Sequence, residues 1–369
     1  MTNDRSWKQT LTEYIREGEP DQATKSEAWQ IAIGLQQVDR LETSDYLLST
    51  AREHIEGRID IHQAQCRIAS YYEAEAQRKA VEDGTAEADI VSSRITELLC
   101  EKAFQFSPAT LQTIHRRLFE GVFDHAGQFR MYNISKKEWV LDGASVIYAS
   151  WESISDTLDY DFRMEKNFSY EGLALQAAIH HLAAFTSGIW QIHPFAEGNT
   201  RATAVFIIKY MKSFGLNVDN EAFMDHSWYF RNALVRANYN DLQQGVHATT
   251  EYLEHFLENL LLGTAHPLKN RSLHLHYAEL SENANPQSAT SKVPKCQFGT
   301  LDCSLEELAL LHAIIEDPNA TQKALQEKTG LALRTIKRMM ASLQEKGYIR
   351  RVGGKRYGYW ECLVADHLQ

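Results

Sequence analysis

The chain has 369 residues and a formal net charge of −11, and 44% of its residues are hydrophobic and 24% charged. This length predicts two or three globular domains, and the negative charge excludes a protein that coats nucleic acid over its whole surface. The five cysteines are scattered and form no CxxC pair, so they indicate neither a disulfide framework nor a zinc site.

The first residues lack the apolar core of a signal peptide. No apolar run approaches the roughly 18–20 residues that a membrane span requires. We therefore expect a soluble, cytoplasmic protein with no membrane partner.

Residues 5–75 are predicted to form short amphipathic helices, because their apolar residues recur at helical spacing, as around Trp29. Residues 76–90 are rich in charge, and Asp83-Gly84-Thr85 is typical of a connection. The sequence thus predicts a helical N-terminal region over residues 1–90.

Residues 91–263 are predicted to be mostly helical, with one exception. Two β-prone runs flank Asp142-Gly143, so residues 139–148 are predicted to form a β-hairpin. Residues 264–300 are polar with little periodicity, which indicates a linker or an irregular arm.

Residues 301–369 are predicted to be a separate small domain. Three helices between residues 304 and 346, followed by a hairpin around Gly353-Gly354, resemble a winged helix-turn-helix domain. Between Thr321 and Trp360 there are ten Lys and Arg against two Asp and Glu. DNA binding is one interpretation, and protein docking or homodimer formation is the other. The candidate DNA contacts are on the recognition helix and the wing: Arg334, Lys337, Arg338, Lys355 and Arg356.

The most informative segment is residues 193–201, with the sequence HPFAEGNTR. His193 can act as a general base, and Glu197 is a hard oxygen ligand suited to Mg²⁺. Gly198 lets the backbone approach a phosphate, and Asn199 can donate an amide hydrogen bond. The next residues are predicted to begin a helix, whose N-terminus favours anions, and Arg201 lies in its first turn. Each residue alone would be an ordinary turn or surface group. Together they suit the transfer of a phosphate-linked group from a nucleotide to another molecule.

This segment resembles the active-site motif of Fic proteins, His-Pro-Phe-x-(Asp/Glu)-Gly-Asn-Gly-Arg-x-x-Arg. Gly127-Gln128-Phe129-Arg130 resembles the segment that precedes the flap of that family, and residues 139–148 fall where the flap is expected. Ala237-Asn238, with Asp241, resembles the segment that closes the adenine pocket. The resemblance covers residues 91–262. It implies a mainly α fold: a Fic-type helical bundle with a β-hairpin flap, followed by a small α+β winged-helix domain.

The resemblance further implies transfer of AMP from ATP to a hydroxyl group of a target protein. His193 would deprotonate the hydroxyl, Glu197 would hold Mg²⁺, and a target, which could be the chain itself, would dock on the flap. The residues expected to contact the nucleotide are Phe195, Gly198, Asn199, Thr200, Arg201 and Asn238. Two alternatives stay open: another Fic-type transfer, such as phosphorylation or phosphocholine transfer, and a transcription regulator whose Fic core senses nucleotide.

The sequence departs from the family pattern at two positions. Thr200 replaces the last Gly of the loop, and its hydroxyl offers an additional phosphate contact. Ala204 replaces the final Arg, which in the family grips the γ-phosphate and receives an inhibitory Glu. The resemblance therefore implies weaker ATP binding or a different ATP pose, and we hypothesise a relaxed choice of nucleotide.

Residues 28–75 resemble a toxin-antitoxin component, the small antitoxin of the VbhA type. Asp39 and Glu56 are the candidate inhibitory carboxylates, although neither has the Ser or Thr of the inhibitory pattern. We therefore hypothesise that the usual Glu–Arg lock is absent and that the N-terminal helices serve mainly as packing.

Overall fold

The computed structural model describes residues 4–76, 83–218, 220–277, 301–353 and 358–365. These residues form fourteen α-helices and one two-stranded antiparallel sheet, so the mainly α fold predicted from the sequence is confirmed. None of the described helices is long and apolar enough to cross a membrane.

Five helices make up the N-terminal region, as the apolar periodicity predicts for residues 5–75. They are α1 (Asp4–Glu17), α2 (Pro20–Gly34), α3 (Asp45–Ile55), α4 (Ile61–Ala76) and α5 (Asp83–Cys100). Ser44 caps α3 by accepting a hydrogen bond from the Leu47 amide. The prediction of a connection at residues 83–85 is wrong, because these residues already belong to α5. The helical preference of the following residues outweighs the single glycine there.

The N-terminal helices share a small apolar core, which includes Leu11, Trp29 and Leu47. The opposite side of α2 joins the main core of the protein through Ile31 and Ala32. Gly34 ends α2 where a Cβ atom would lie 2.4 Å from the carbonyl oxygen of Phe223. A glycine is therefore required for α2 to pack this closely against the helix that contains Phe223.

Six helices form the central bundle. They are α6 (Pro108–Phe119), α7 (Ile154–Asn167), α8 (Leu175–Ile192), α9 (Asn199–Ser213), α10 (Glu221–Ala237) and α11 (Glu251–Leu262). Helix α9 is buried on all sides from residue 199 to residue 211. Because α9 lies inside the bundle, its first turn is enclosed by neighbouring residues.

The prediction of a β-hairpin over residues 139–148 is wrong, because the residues on either side of the turn do not form strands. Asp142 and Gly143 do form the expected turn, with φ of 54° and 86°. However, residues 139–141 form a 3-10 turn and the flanking residues are irregular. Two backbone hydrogen bonds close the loop: the Glu138 amide donates to the Ala144 carbonyl at 2.9 Å, and the Gly143 amide donates to the Glu138 carbonyl at 3.0 Å. Buried Val140 and Leu141 pull the chain towards the core, which prevents a regular two-stranded ladder.

The C-terminal domain has the helices and the paired strands of a winged helix-turn-helix, as predicted. These are α12 (Leu305–Glu316), α13 (Gln322–Thr329), α14 (Leu333–Glu345), β1 (Ile349–Val352) and β2 (Tyr359–Cys362), with Ile349 paired to Cys362. Residues 354–357 of the predicted hairpin turn lie outside the described residues. Helix α12 belongs to two cores. Its first turns, with Leu305 and Leu308, join the main core, whereas Leu311 joins the core of the small domain.

The segment after α11 is irregular over residues 264–277, apart from a 3-10 turn at Asn270–Leu273. This agrees with the irregular arm predicted there. The remainder of that predicted segment, residues 278–300, lies outside the described residues.

Candidate functional site

The motif loop connects the end of α8 to the start of α9, and two residues with positive φ shape it. His193 ends α8 with φ of 49°, and Gly198 precedes α9 with φ of 73°. A Cβ atom at Gly198 would lie 2.4 Å from the ring of Phe119, so both the backbone angle and the available space require glycine. A positive φ is unusual for histidine and has to be maintained by surrounding contacts.

Arg130 supplies several of these contacts. Its Nε donates to the carbonyl oxygen of His193 at 2.8 Å, and its backbone amide donates to the carbonyl oxygen of Pro194 at 2.9 Å. The same guanidinium also donates to the carbonyl oxygens of Tyr132 and Ala149. The Arg130 that the sequence singled out beside the flap therefore fastens the motif loop to the segments before and after the flap.

The hydrogen bond of His193 defines its tautomer. Nδ1 lies 3.2 Å from the carbonyl oxygen of Trp190, which can only accept, so Nδ1 carries the proton. Nε2 is buried and has no hydrogen-bond partner. Burial, assisted by the charge of Lys136, holds the pKa of His193 well below its ordinary value. The imidazole is thus neutral near pH 7, with a free lone pair on Nε2.

His115 holds the motif loop from the other side, a role the sequence reasoning missed. It accepts from the amide of Gly127 through Nδ1, so the N–H at Nε2 donates to the carbonyl oxygen of Glu197 at 2.9 Å. Its ring stacks on Phe195 with a centroid distance of 3.7 Å. Burial lowers the pKa of His115 to about 4. No motif spacing identifies this residue, because Glu197 and Phe195, which it contacts in the motif loop, are distant in sequence.

The side chains of Asn199 and Thr200 have other partners than those expected. Asn199 accepts from the Phe195 amide at 2.9 Å and donates to the Phe195 carbonyl at 2.7 Å. The Thr200 hydroxyl is buried and accepts from Trp190 Nε1 at 3.0 Å. These two side chains shape the loop. Contact of Asn199 and Thr200 with a phosphate stays a prediction, which the backbone amide groups in the first turn of α9 could also meet.

Glu197 points outward from the loop, and 60% of its side chain is exposed. Its carboxylate lies 3.6 Å from Lys136 Nζ, beyond hydrogen-bond distance. An exposed carboxylate is a hard oxygen ligand that suits Mg²⁺, and this role of Glu197 stays a prediction.

Arg201 is almost completely buried and is surrounded by groups of the N-terminal region. It donates to Glu87 Oε1 at 2.6 Å and to Gln36 Oε1 at 3.1 Å. Its Nε lies 2.9 Å from Asp39 Oδ2, an ion pair without the direction of a hydrogen bond. The guanidinium also lies over the ring of Phe119 at 4.8 Å. Carboxylates thus bind the guanidinium that was expected to contact a phosphate.

The hypothesis that the usual Glu–Arg lock is absent and that the N-terminal helices serve mainly as packing stays a prediction, but the N-terminal region does bring carboxylates to an arginine. Ala204 is fully buried and offers no cation, but Asp39 pairs instead with Arg201, three residues earlier. Glu56 is not involved, because it contacts the hydroxyl of Tyr14 and pairs with Arg58. Glu87, which the sequence reasoning missed, is the second carboxylate on Arg201.

The segment after the flap turn covers His193. The ring of Tyr148 lies 4.3 Å from the imidazole, and the hydroxyl of Tyr148 is 3.5 Å from the buried carboxylate of Glu138. Arg231 binds that carboxylate with two hydrogen bonds, of 2.6 and 3.0 Å. A buried charge pair of this kind needs both partners, so it fixes the position of the flap relative to α10.

The other predicted nucleotide residue, Asn238, ends α10. Its amide donates to the carbonyl oxygens of Ser187 and Leu234, at 3.0 and 2.9 Å, which ties α10 to α8. It makes no hydrogen bond to the motif loop. Its role towards adenine stays a prediction.

Three of the five candidate DNA contacts lie on α14, the recognition helix. Arg334 and Lys337 are exposed. Arg338 lies 3.7 Å from Glu171 of the central bundle, with both side chains largely exposed. Lys355 and Arg356 lie outside the described residues.

Comparisons with known proteins agree with this architecture. Residues 105–211 match the family model described as Fic/DOC family, and residues 307–350 match that of the winged helix-turn-helix DNA-binding domain. The chain therefore contains a Fic domain followed by a winged helix-turn-helix domain. The Fic/DOC family is known for transferase activity, including AMPylation. Neither match reaches residues 28–75, so their likeness to an antitoxin stays a prediction.

Three of the solved structures with which the chain aligns are described as Fic proteins. One is the N-terminal Fic domain of the Bep8 effector of Bartonella sp. 1-1C, 18% identical, covering 47% of this chain and 84% of that one, with a TM-score of 0.37. A Bep effector Fic domain of Bartonella sp. AR 15-3 is 17% identical, covering 55% and 82%, with a TM-score of 0.34. A Fic family protein of Desulfovibrio desulfuricans G20 is 14% identical, covering 97% and 94%, with a TM-score of 0.41.

Proposed function

We propose that this protein transfers AMP from ATP to a hydroxyl side chain of a target protein, with His193 as general base. The observation that carries the proposal is the state of the His193 imidazole. Its proton is on Nδ1, bound to the Trp190 carbonyl, and Nε2 keeps an unpaired acceptor inside the motif loop. The proton of the target hydroxyl would therefore be accepted by Nε2 of His193.

The reaction is an in-line substitution at the α-phosphorus. The target hydroxyl loses its proton to Nε2 of His193, its oxygen forms the new bond to phosphorus, and pyrophosphate leaves with the electrons of the broken P–O bond. Free amide groups at the start of α9 and the Arg201 guanidinium suit the negative charge of the phosphates. Catalysis of this kind rests on positioning and charge stabilisation.

Magnesium is the expected metal of this reaction, and Glu197 is the residue that would hold it. When bound, the ion would neutralise phosphate charge. Lys136, close to the same carboxylate, is available to contact a phosphate oxygen once the ATP is bound.

The contacts around the site support a closed resting state. Tyr148 covers His193, and Asp39 and Glu87 occupy Arg201. Transfer then requires that the flap segment move away and that phosphates replace the two carboxylates. Beside this segment, Met131 and Ile147 are 76% and 84% exposed. Such apolar exposure suits the docking of a target chain along the flap.

Labelled ATP distinguishes the reactions open to a Fic domain. We expect label from the α-phosphate on protein, and no label when His193 is replaced by Ala. Label from the γ-phosphate would mean phosphorylation and would refute AMP transfer. Tight ATP binding without transfer of either label would instead identify a nucleotide sensor.

We also propose that the winged helix-turn-helix domain binds DNA through α14. The exposed Arg334 and Lys337 on this helix support the proposal. Since α12 belongs to both cores, ligand binding to one of the two domains is expected to affect the other domain. Titration with a duplex at increasing salt tests this, because phosphate contacts weaken steeply with salt.

A further inference from the structure

Two histidines and a glutamate come together at the end of α11. His255 and Glu258 lie on the helix, and His266 lies in the segment that follows. One ligand atom from each of the three residues lies within 4.8 Å of the other two. His266 Nε2 contacts a carboxylate oxygen of Glu258 directly, and the rings of His255 and His266 stack at a centroid distance of 4.4 Å.

The backbone around these residues is held in place. Gly263 ends α11 in the left-handed conformation, and the side chain of Asn259 receives the returning chain. Asn259 donates to the carbonyl oxygen of His266 and accepts from its amide, both at 2.9 Å. The Thr264 hydroxyl adds a contact to the same amide side chain at 2.8 Å. His266 is thus presented to Glu258 by a fixed turn.

The carboxylate of Glu258 is oriented as well. It is mostly buried, and one of its oxygens accepts from Gln176 Nε2 at 2.6 Å. The other oxygen faces His266. Residues that hydrogen-bond a ligand in this manner fix its orientation and raise its metal affinity.

We propose that His255, Glu258 and His266 bind a divalent first-row transition metal ion, for which zinc is the natural probe. Residues three apart on a helix lie on the same face, so His255 and Glu258 reach one ion together. Two imidazole nitrogens and one carboxylate oxygen form a ligand set that zinc uses with a water molecule in the fourth position. A simple ion pair would need one histidine, whereas this site brings two to the same carboxylate.

This site is separate from the Fic motif. Gln176 lies at the start of α8 and His193 follows the end of that helix, which corresponds to roughly 25 Å at 1.5 Å per residue. The metal would join α11 to the segment that leaves the bundle. Because it would bind the native protein in preference to the unfolded chain, it would raise the free energy of unfolding.

The test uses full-length protein without a polyhistidine tag, stripped with a chelator and titrated with Zn²⁺ by calorimetry. The exposed pair of His62 and Cys66 could also hold zinc, so Cys66 is replaced by Ser throughout. We expect one ion per chain and a rise in the melting temperature. In the variants His255→Ala and His266→Ala, the affinity should fall at least tenfold.

His180→Ala is the matched control, because His180 pairs with Glu254 of α11, the helix that carries His255 and Glu258, but is outside the proposed ligand set. Its affinity should equal that of the parent. The variants Glu258→Gln and His266→Gln keep the side-chain size and serve if an alanine variant does not fold. Absence of zinc binding by the parent, or binding unchanged in the triad variants, would overturn the proposal.

Discussion

The contacts of Arg201 lead to a quantitative prediction about inhibition. The Glu87 side chain is only 20% exposed and accepts a hydrogen bond from the guanidinium, whereas the Asp39 side chain is 36% exposed and forms an ion pair without that bond. A hydrogen bond to a charged group contributes about 1.5–3 kcal/mol, and an exposed ion pair about 0.2–1 kcal/mol. Glu87 is therefore expected to restrain Arg201 more strongly than Asp39.

The perturbation is Glu87→Gln, which removes the charge and keeps the shape. If phosphates must displace this carboxylate, kcat/KM for ATP in α-label transfer should rise about tenfold to a hundredfold, since 1.36 kcal/mol corresponds to a factor of ten. Asp39→Asn should give at most about a fivefold rise. Glu56→Gln is the matched control, because Glu56 contacts Tyr14 and Arg58 instead of Arg201.

Two results would refute this reasoning. One is a rise of less than about twofold in kcat/KM for Glu87→Gln, because a hydrogen bond of the strength given above should produce about tenfold or more. The other is a larger effect for Asp39→Asn than for Glu87→Gln. Arg201→Ala should lose transfer in every background, as expected if this guanidinium stabilises the charge of the phosphates.

Three further predictions concern stability and DNA binding. Thr200→Val leaves the buried Nε1 of Trp190 without an acceptor, so urea unfolding should show a loss of about 1–3 kcal/mol; an unchanged midpoint would contradict this. Burial lowers the pKa of both His115 and His312 to about 4, so below pH 6.5 the unfolded chain binds protons that the native chain does not. The free energy of unfolding should therefore fall from pH 6.5 to about pH 4, by up to about 3 kcal/mol for each histidine. Urea unfolding at several pH values measures this, and a flat profile of the free energy against pH would disprove it. In Lys337→Ala, the slope of log affinity for DNA against log salt should decrease by about one, whereas an unchanged slope would exclude a phosphate contact.

Much of the fold could be predicted from local sequence alone. Helical periodicity identified the N-terminal helices and the three helices of the C-terminal domain, because an amphipathic pattern reports which face is buried. The Asp142-Gly143 turn was also predictable, since few residues accept positive φ at two successive positions. The strands on either side were not, because burial of Val140 and Leu141 depends on the bundle beneath them.

Within the candidate site, the sequence determined which chemical groups are present and where the loop must bend. His193 and Glu197 are identifiable from their spacing, and Gly198 from the need for a turn before a helix. The partners of Arg201 could not be predicted, because Asp39 and Glu87 are far from it along the chain. In the sequence both are charged residues like many others, and only the packing of the N-terminal region on α9 brings them to a buried cation.

The same distinction applies to Asn199 and to the tautomer of His193. By itself, the sequence determined that an amide, an imidazole and a guanidinium lie within nine residues of each other. The tertiary structure decided that the amide holds the loop, that the imidazole keeps Nε2 free, and that carboxylates bind the guanidinium. Residue type fixes what a group can bond, but folding decides which distant partner is close enough to bond it.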